Sequence, residues 1–429
     1  GIVAHFKTES RLRRTVISTK AIEYKRMFWN EGIIHHEDVL YFSFRILKEN
    51  PILLEFLSSR FPYIFLDEFQ DTNPIQTQIV KWFASAESLI GVIGDSAQSI
   101  YKFQDANRAD FLNFSLSGIQ DYVIAGNRRS TEKIVAFLNH VRGGDIVQNC
   151  DRGQAGQPVS LLVAPSILPS ALPEFVRTLL GHREANSALT VLARTNNEVA
   201  KLRSPTPFND KSWENLNTSN YKREQFFRHI IQAIEYAYHG RFETAVTEMI
   251  RIFRARGGRL QDPFRSTCPD IPPILKRGYA VALVEHLLSC RPTLLQQSAF
   301  ALYQLVSTWF SSAQNNLTLV AIAGGFKAVA EATNFADLAK TVILSEETRS
   351  FRTIHNSKGC EFDAVMLYLS DESDLERLLS ANINEESDET RILYVATSRA
   401  KNHLFISVPS LSLVNKAIVD QLEISVTPL

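Results

Sequence analysis

The chain has 429 residues, a formal net charge of zero from 46 basic and 46 acidic side chains, and 45% hydrophobic residues. This length allows two to four domains with sizeable cores. The balanced charge excludes a protein that is basic over its whole surface, so any contact with nucleic acid must come from a local groove that neutralises phosphates.

The cysteines and the apolar runs indicate in which cellular compartment the chain is expected. The four cysteines are scattered and include no CxxC pair, so the sequence indicates neither a zinc site nor a disulfide framework. No apolar run is long enough to span a membrane, and the N-terminal stretch lacks the apolar core of a signal peptide. We therefore expect a cytoplasmic protein without membrane contact.

Residues 1–60 are predicted to be helical. Leu40, Phe44 and Leu47 recur at helical spacing, and Pro51 separates that helix from a second one.

The next stretch, residues 61–106, is predicted to form a strand, a helix and a second strand. Its apolar runs at 63–66 and 89–93 fit strands that are buried on both faces of a parallel sheet. Acidic residues follow the runs, at Asp67–Glu68 and at Asp95. Open α/β sheets bind their ligands at the carboxyl ends of the strands, so this edge is a candidate site.

Alternating strands and helices follow, and the same pattern returns near the end of the chain. Helices separate strand-like runs that are predicted at 122–125, 159–164, 189–194, 364–369 and 404–408. Prolines and asparagines make 203–222 a predicted linker, and 223–345 has a helical pattern that glycine and proline interrupt.

Five short segments carry side chains of the kind that nucleotide and nucleic-acid chemistry needs. They are DEFQDT at 67–72, GDSAQSIY at 94–101, NRRS at 127–130, TIHNSKGCEF at 353–362 and YVATSRAK at 394–401. An Asp-Glu pair alone occurs by chance in many chains, but this order within an α/β pattern is specific. The set resembles motifs II to VI of the superfamily 1A DNA helicases of the UvrD/Rep/PcrA family.

The resemblance implies an α/β fold with two RecA-like P-loop NTPase motor domains, the first of them truncated, and a helical insertion in the second. The implied boundaries are 1–120 for the partial first motor domain, 121–204 and 346–429 for the second, and 205–345 for the insertion. The compact length is also similar to small UvrD-like proteins, such as the helicase-like subunit of Gabija anti-phage systems.

The phosphate loop GxxxxGK[ST] that such a motor needs is not found upstream of Asp67. Gly1–Thr8 matches it except at the second glycine. Phe6 stands there, with a bulky side chain where the backbone must approach phosphate, and no strand precedes it. We therefore expect the chain as given to begin inside the first motor domain, after that loop, and to be inactive without it.

The resemblance implies hydrolysis of ATP with Mg²⁺, which requires a metal clamp, a positioned water and positive charge on the developing oxyanion. Asp67 is the candidate Mg²⁺ ligand, together with Glu68. Glu68 is also the candidate catalytic base that positions the attacking water. Gln98 is the candidate contact to the γ-phosphate.

Two arginines are the candidate cations for the phosphates. Arg129 and Arg399 are expected to reach from the second motor domain across the nucleotide cleft, since a guanidinium stays charged and can fork onto phosphate oxygens. Arg128 replaces the aromatic residue that is usual beside Arg129, so a guanidinium plane could stack on adenine there instead. Glu361 resembles the family residue that contacts the nucleotide sugar.

A second set of residues is implied for single-stranded DNA. Tyr101 and Phe103 follow the γ-phosphate contact closely, and aromatic rings there can stack on bases. Thr353 and His355 are the other implied DNA contacts. Because Gln98 and Tyr101 share one loop, we hypothesise that the nucleotide state biases the grip on DNA.

Three functions are compatible with these residues. The first is an ATP-dependent DNA helicase or translocase that moves 3′ to 5′ on single-stranded DNA or DNA with a single-stranded tail, in DNA repair or anti-phage defence. The second is a non-catalytic helicase-like subunit that senses DNA or nucleotide for a partner nuclease. The third is an RNA-acting motor. A phosphate loop in the full-length protein favours the first function and its absence favours the second, whereas ATPase stimulation by DNA against RNA separates the third.

The substitution Phe103→Ala tests the coupling of DNA to the nucleotide. Stacking on one base is worth about 1–3 kcal/mol, so we expect half-maximal stimulation of ATP turnover to need roughly ten-fold more single-stranded DNA. A titration of DNA in an ATPase assay of the full-length protein measures this. An unchanged titration would end the coupling hypothesis.

Overall fold

The computed structural model describes residues 22–23, 25–101, 108–181, 188–209, 211–312, 317–346, 348–384 and 388–429. Helices alternate with parallel strands, which confirms the expected α/β class. Contacts divide the chain into a first unit, residues 1–157 and 373–399, and a second unit, residues 158–372 and 400–429. The domain boundaries expected from the sequence, at 120, 204 and 345, stay predictions.

The first part of the chain alternates short strands with helices. Its elements are α1 (His36–Glu49), α2 (Pro51–Arg60), β1 (Tyr63–Leu66), α3 (Pro74–Ser85), β2 (Leu89–Val92), α4 (Arg108–Leu112), β3 (Gly126–Asn127), α5 (Glu132–Arg142) and β4 (Asn149–Cys150). Helix α3 begins where its chemistry predicts, because the Asn73 side chain accepts the Ile75 and Gln76 N–H groups and Pro74 occupies the first helical position.

The middle of the chain holds two strands and then mostly helices. Its elements are β5 (Ser160–Val163), α6 (Leu172–Gly181), β6 (Leu189–Ala193), α7 (Asn196–Arg203), α8 (Ser212–Ser219), α9 (Tyr221–Tyr238), α10 (Phe242–Ile250), β7 (Ala255–Arg256), β8 (Arg259–Leu260), α11 (Pro273–Leu294), α12 (Ala299–Ser312), α13 (Gly324–Ala332) and α14 (Phe335–Leu344).

The last part of the chain returns to strand and helix alternation. Its elements are β9 (Phe351–Thr353), α15 (Ile354–Ser357), β10 (Phe362–Tyr368), α16 (Glu372–Leu379), α17 (Glu389–Thr397), β11 (Ala400–Val408), α18 (Leu413–Gln421) and β12 (Ser425–Pro428). Over the described residues, none of the helices has both the length and the apolar content needed to cross a bilayer.

The predicted strand, helix and strand of residues 61–106 are confirmed, but their burial is not. β1 and β2 pair in parallel, yet Tyr63 is 66% exposed and Phe65 is 69% exposed. Successive strand residues face opposite sides, so these two rings share one open face, while Ile64 and Leu66 on the other face are half-buried. The expectation of burial on both faces was wrong because, among the described residues, this sheet has only two strands.

Two other expectations from local composition were wrong. The run 122–125 was predicted as a strand, but pairing begins only at Gly126, where β3 meets β4. The predicted linker 203–222 contains α8, because Trp213 and Leu216 are buried in the helical core. Tertiary packing of an apolar face outweighs the low helix propensity of the asparagines around it.

The second unit is built on one parallel sheet with a helical core beside it. Within the described residues, six strands pair in the order β12, β5, β11, β10, β6 and β9. The central strands β10 and β11 are buried over most of their length, which fits the apolar runs predicted there. Helices α8 to α14 enclose a separate apolar core, as the helical pattern of 223–345 predicted.

Matched leucine substitutions test the core of this sheet. Leu162 in β5 is fully buried, whereas Leu413 at the start of α18 is 86% exposed. Leu162→Ala should lower the free energy of unfolding by about 2–5 kcal/mol because it leaves a cavity. Leu413→Ala should change it by less than about 0.5 kcal/mol. Urea denaturation measures both, and equal costs for the two variants would contradict the assigned sheet.

Candidate active site

The first two acidic residues stand at a strained turn after β1. Glu68 has a φ of 53°, a left-handed conformation that costs a non-glycine residue about 1–3 kcal/mol. Its N–H donates to Asp67 Oδ1 at 2.8 Å. The turn is held by its neighbour Phe69, which is fully buried and whose N–H donates to the Ile93 carbonyl at 2.9 Å. Such strain clusters at functional sites, which fits a role for the two carboxylates.

A buried amide joins this turn to the end of β2. Gln70 Nε2 donates to Glu68 Oε2 at 2.6 Å, and the Asp95 N–H donates to Gln70 Oε1 at 3.0 Å. Gly94 makes the approach possible, since a Cβ there would lie 2.6 Å from Gln70 Oε1. Gln70 therefore holds the ends of the two strands together.

Asp95 and Gln98 extend these hydrogen bonds to Arg399, one of the predicted arginines. Its Oδ1 accepts the Ala97 N–H at 3.0 Å, and its Oδ2 accepts from Gln98 Nε2 at 2.9 Å. Arg399 Nη2 then donates to Gln98 Oε1 at 2.8 Å. A continuous series of hydrogen bonds within the first unit thus joins Glu68 to Arg399.

Arg399 is only 2% exposed and is held by the end of α17. Its Nε donates to the Val395 carbonyl at 3.0 Å, and its Nη2 donates to Ser398 Oγ at 2.9 Å. A buried guanidinium is tolerable only when its donors are used. Ser398 thus contacts the predicted phosphate ligand directly.

The second predicted arginine reaches the same helix end. Arg129 Nη1 donates to the Ser398 carbonyl at 3.1 Å. The N–H groups of Arg129 and Ser130 donate to Asn127 Oδ1 at 3.0 and 2.9 Å, which fixes the loop before α5. Both candidate cations therefore meet at Ser398, and both belong to the unit that contains the carboxylates.

The predicted metal ligands, Asp67 and Glu68, are both exposed. Among the described residues, no group of three or more His, Cys, Asp or Glu side chains could hold an ion. An exposed carboxylate such as Asp67 at a strand end nevertheless fits Mg²⁺, which proteins bind through one or two carboxylates while substrate phosphates and waters complete its shell.

The predicted DNA and sugar contacts are distributed over both units. Tyr101 is half-buried in the first unit, where burial raises its pKa and the charges of Asp71 and Glu68 raise it further. Phe103 lies outside the described residues. In the second unit, Thr353 ends β9 and His355 lies in α15.

The remaining predicted contact, Glu361, also lies in the second unit. It precedes β10, and its carboxylate lies 3.4 Å from Lys401 Nζ. Its side chain is 41% exposed, so it is accessible to a ligand.

Sequence reasoning missed the cation that holds Asp95. Arg142 lies at the end of α5, is 2% exposed and contacts Asp95 Oδ2 at 2.9 Å. The signal was its place in the sequence, because it follows Ile134 and Leu138 at helical spacing on the apolar face. A charged residue on such a face needs a buried partner.

The charge on Asp95 is stabilised by this contact. Burial alone would raise the pKa of Asp95, but the hydrogen bonds and charge of Arg142 outweigh it, and the pKa is lowered. A lowered pKa means that the pair stabilises the fold fully above the ordinary carboxyl pKa of about 3.9 and loses this effect as the pH falls through the lower folded value. Asp95 is therefore ionised at neutral pH.

A pair of glutamine substitutions tests the link between the strands. Gln70→Glu keeps an acceptor for the Asp95 N–H but removes the donor to Glu68 and places a like charge beside it. We expect a loss of about 1–3 kcal/mol in the free energy of unfolding. Gln76→Glu is the control, because Gln76 is exposed and its side chain caps the Asn73 N–H, which a carboxylate does equally well. Thermal unfolding at pH 7 measures both, and equal stability of the two variants would contradict the link.

Comparison with known proteins matches two regions that contain four of the five segments, and the segment at 127–130 lies between the two regions. The family model described as the UvrD/REP helicase N-terminal domain matches residues 3–117. The model described as the UvrD-like helicase C-terminal domain matches residues 309–410. The two matches together contain the carboxylates, Gln98, Glu361 and Arg399.

Individual relatives agree with these matches. A Bacillus subtilis protein assigned as the ATP-dependent DNA helicase YjcD is 23% identical over 90% of this chain and 57% of its own length. The ATP-dependent DNA helicase PcrA of the same species is 31% identical over 29% of this chain and 17% of its own length. PcrA of Staphylococcus aureus is 31% identical over 33% of this chain and 19% of its own length. The chain thus spans just over half of the first relative and less than a fifth of the others.

Proposed function

The chain belongs to the family of UvrD-like helicases, and on this premise we propose that it contributes the motor of an ATP-dependent DNA helicase. The finer proposal is translocation on single-stranded DNA in the 3′ to 5′ direction, in the cytoplasm, during DNA repair or anti-phage defence. The relatives named as ATP-dependent DNA helicases support ATP and DNA as the ligands.

One observation carries the proposal. The carboxylate of Glu68 and the guanidinium of Arg399 belong to one hydrogen-bonded series through Gln70, Asp95 and Gln98. Hydrolysis of a γ-phosphate needs an acid–base group on one side and positive charge on the transferred group. A series of this kind links those two groups, so that a displacement of Glu68 or Arg399 also displaces the other.

Each residue then has a chemical role in our proposal. Water attacks the γ-phosphorus, the bond to the β,γ-bridging oxygen breaks, and Glu68 accepts a proton from the water. Gln98 hydrogen-bonds a γ-phosphate oxygen. Arg129 and Arg399 stabilise the negative charge that develops on the equatorial oxygens. Burial of Arg399 favours this, since an interaction with phosphate strengthens where water is excluded.

Magnesium and the nucleotide sugar complete the proposed nucleotide site. Asp67, with Glu68 beside it, would hold Mg²⁺, which when bound neutralises charge on the β- and γ-phosphate oxygens. Glu361 would hydrogen-bond the sugar through its carboxylate.

The proposed DNA contacts are the aromatic residues 101 and 103 and the polar pair Thr353 and His355. Aromatic rings stack on bases whatever the sequence, and short polar side chains bind the sugar and phosphates. These contacts suit a motor that must move along any sequence.

The substitution Glu68→Gln tests the proposed chemistry. Loss of a general base lowers the rate by roughly 10²–10⁴-fold, so we expect kcat for DNA-stimulated phosphate release by the full-length protein to fall at least about 100-fold. ATP binding should persist, because the amide has the size of the carboxylate. Glu55→Gln is the matched control, since Glu55 is exposed on α2 and should leave kcat unchanged.

The same assay separates the motor from its rival. A wild-type protein that binds DNA and ATP without turnover would support the non-catalytic sensor instead. Strand displacement on duplexes with a 3′ or a 5′ single-stranded tail tests the direction, and activity that is confined to 5′ tails would refute the 3′ to 5′ assignment.

A further inference from the structure

Arg142 has an unusual set of contacts for a buried cation. A guanidinium has five N–H donors, and each of those of Arg142 has an acceptor. Nε and Nη2 donate to Asp145 at 2.7 and 2.9 Å, and Nη1 and Nη2 donate to Asp95 at 2.9 and 3.0 Å. The remaining Nη1 donor goes to Tyr394 Oη at 2.9 Å. The side chain can therefore adopt one position only without loss of hydrogen bonds.

Two series of hydrogen bonds, called arms here, start at Arg142. The first arm leads to Arg399. Asp95 receives both prongs of Arg142, and the same Oδ2 atom accepts from Gln98 Nε2 at 2.9 Å. With its amide nitrogen held by Asp95, Gln98 presents Oε1 to Arg399 at 2.8 Å. The rotamer of Gln98, and with it the partner of Arg399, is therefore set by a carboxylate that Arg142 fixes.

A second arm leads to Arg129. Tyr394 Oη also accepts from Gln148 Nε2 at 3.0 Å, and Gln148 Oε1 accepts from Asn127 Nδ2 at 2.7 Å. Asn127 Oδ1 accepts the N–H groups of Arg129 and Ser130, and these two hydrogen bonds fix the loop at Arg129. The main chain of Gln148 is fixed in turn by two hydrogen bonds with the Asn139 side chain, 2.8 and 2.9 Å long.

We propose that Arg142 is a positioning residue that sets Arg129 and Arg399 together, so that the two cations approach the γ-phosphate as a pair. The inference rests on the proposed function, because it concerns how that site is assembled. Arg142 touches no reacting atom in this account and acts only through Asp95 and Tyr394. Its effect on chemistry arises because a misplacement of about 1 Å at a reacting centre can cost roughly 10²-fold in rate.

A purely structural ion pair elsewhere in the chain gives the contrast. Arg291 in α11 donates from two nitrogens to Glu235 at 2.8 Å each, and its side chain is 14% exposed. Its guanidinium also lies over the Tyr238 ring, at 3.7 Å from the centroid. This pair has the same forked chemistry as Arg142 with Asp95, but its partners Glu235 and Tyr238 lie on α9 in the second unit, and neither is a predicted site residue.

The test compares three substitutions in the full-length protein, with Arg142→Met as the main variant, Arg142→Lys as the conservative one and Arg291→Met as the control. Lysine keeps the charge but offers three donors from a single point, so it cannot fork onto two carboxylates and a hydroxyl. We expect both Arg142 variants to lower kcat for ATP about 100-fold, with less than a three-fold change in KM. Arg291→Met should leave kcat and KM unchanged.

Hydrogen exchange without nucleotide supplies a readout that does not require activity. The Ala97 N–H reports the first arm, and the Arg129 and Ser130 N–H groups report the second. Arg142→Met should raise exchange at both places by roughly ten-fold or more, since each amide loses a fixed acceptor. Arg291→Met should raise it at neither. Tyr394→Phe removes the hydroxyl of the second arm and should raise exchange only at residues 129 and 130. If Arg142→Met does not fold, this variant still tests the proposal.

The outcomes separate this inference from the proposed function. A wild-type protein without ATP turnover refutes the function, while the exchange pattern still supports or refutes the positioning role. If Arg142→Met leaves exchange and kcat unchanged and lowers only the melting temperature, the role of Arg142 is that of a structural ion pair and the proposal is refuted. Full activity in Arg142→Lys would show that charge suffices, and this would overturn the geometric argument.

Discussion

The hydrogen bond from Arg399 to Gln98 joins residues 301 positions apart in the sequence, and the first unit depends on it. It connects the loop after β2 to the end of α17, which Arg129 also contacts through the Ser398 carbonyl. Removing a guanidinium from water costs several kcal/mol unless its donors are satisfied. Apart from its proposed contact with the γ-phosphate, Gln98 thus supplies an acceptor that the buried arginine requires.

Buried cations give this part of the protein its rigidity. Arg142, Arg391 and Arg399 are each 2% exposed, and Arg391 Nε donates to the Ser99 carbonyl at 3.0 Å, directly after the turn that holds Gln98. Three guanidinium groups therefore converge on one short loop and leave it few alternative conformations. A ligand that takes one donor must supply an acceptor in exchange, since a partly satisfied network costs more than an apolar one. Phosphate oxygens are suited to that exchange.

The sequence allowed candidate site residues to be named, but not the contacts around them. The carboxylates after β1, Gln98 and the two arginines could be named as candidates because motif order and the ends of predicted strands are local properties of the chain, and their roles stay predictions. The exposure of Tyr63 and Phe65 could not, because burial depends on which other strands are present. Arg142 was missed because its partners, Asp95 and Tyr394, lie on other elements. The helix at 212–219 was missed because Trp213 finds its hydrogen-bond partner, Thr341 Oγ1 at 2.6 Å, far along the chain.

The spacing of these contacts along the chain also fixes the order in which they become available during protein synthesis. Asp95 and Arg142 are separated by 47 residues, which ribosomes add in roughly 2–10 s at about 5–20 residues per second. Gln98 and Arg399 are separated by 301 residues, which ribosomes add in roughly 15–60 s at the same rate. The carboxylate is thus neutralised early by a near neighbour, while its loop stays without its final partner until 301 further residues have been translated. Over that interval the loop after β2 lacks one of its contacts, and a chaperone that recognises exposed strand edges has time to bind the nascent chain.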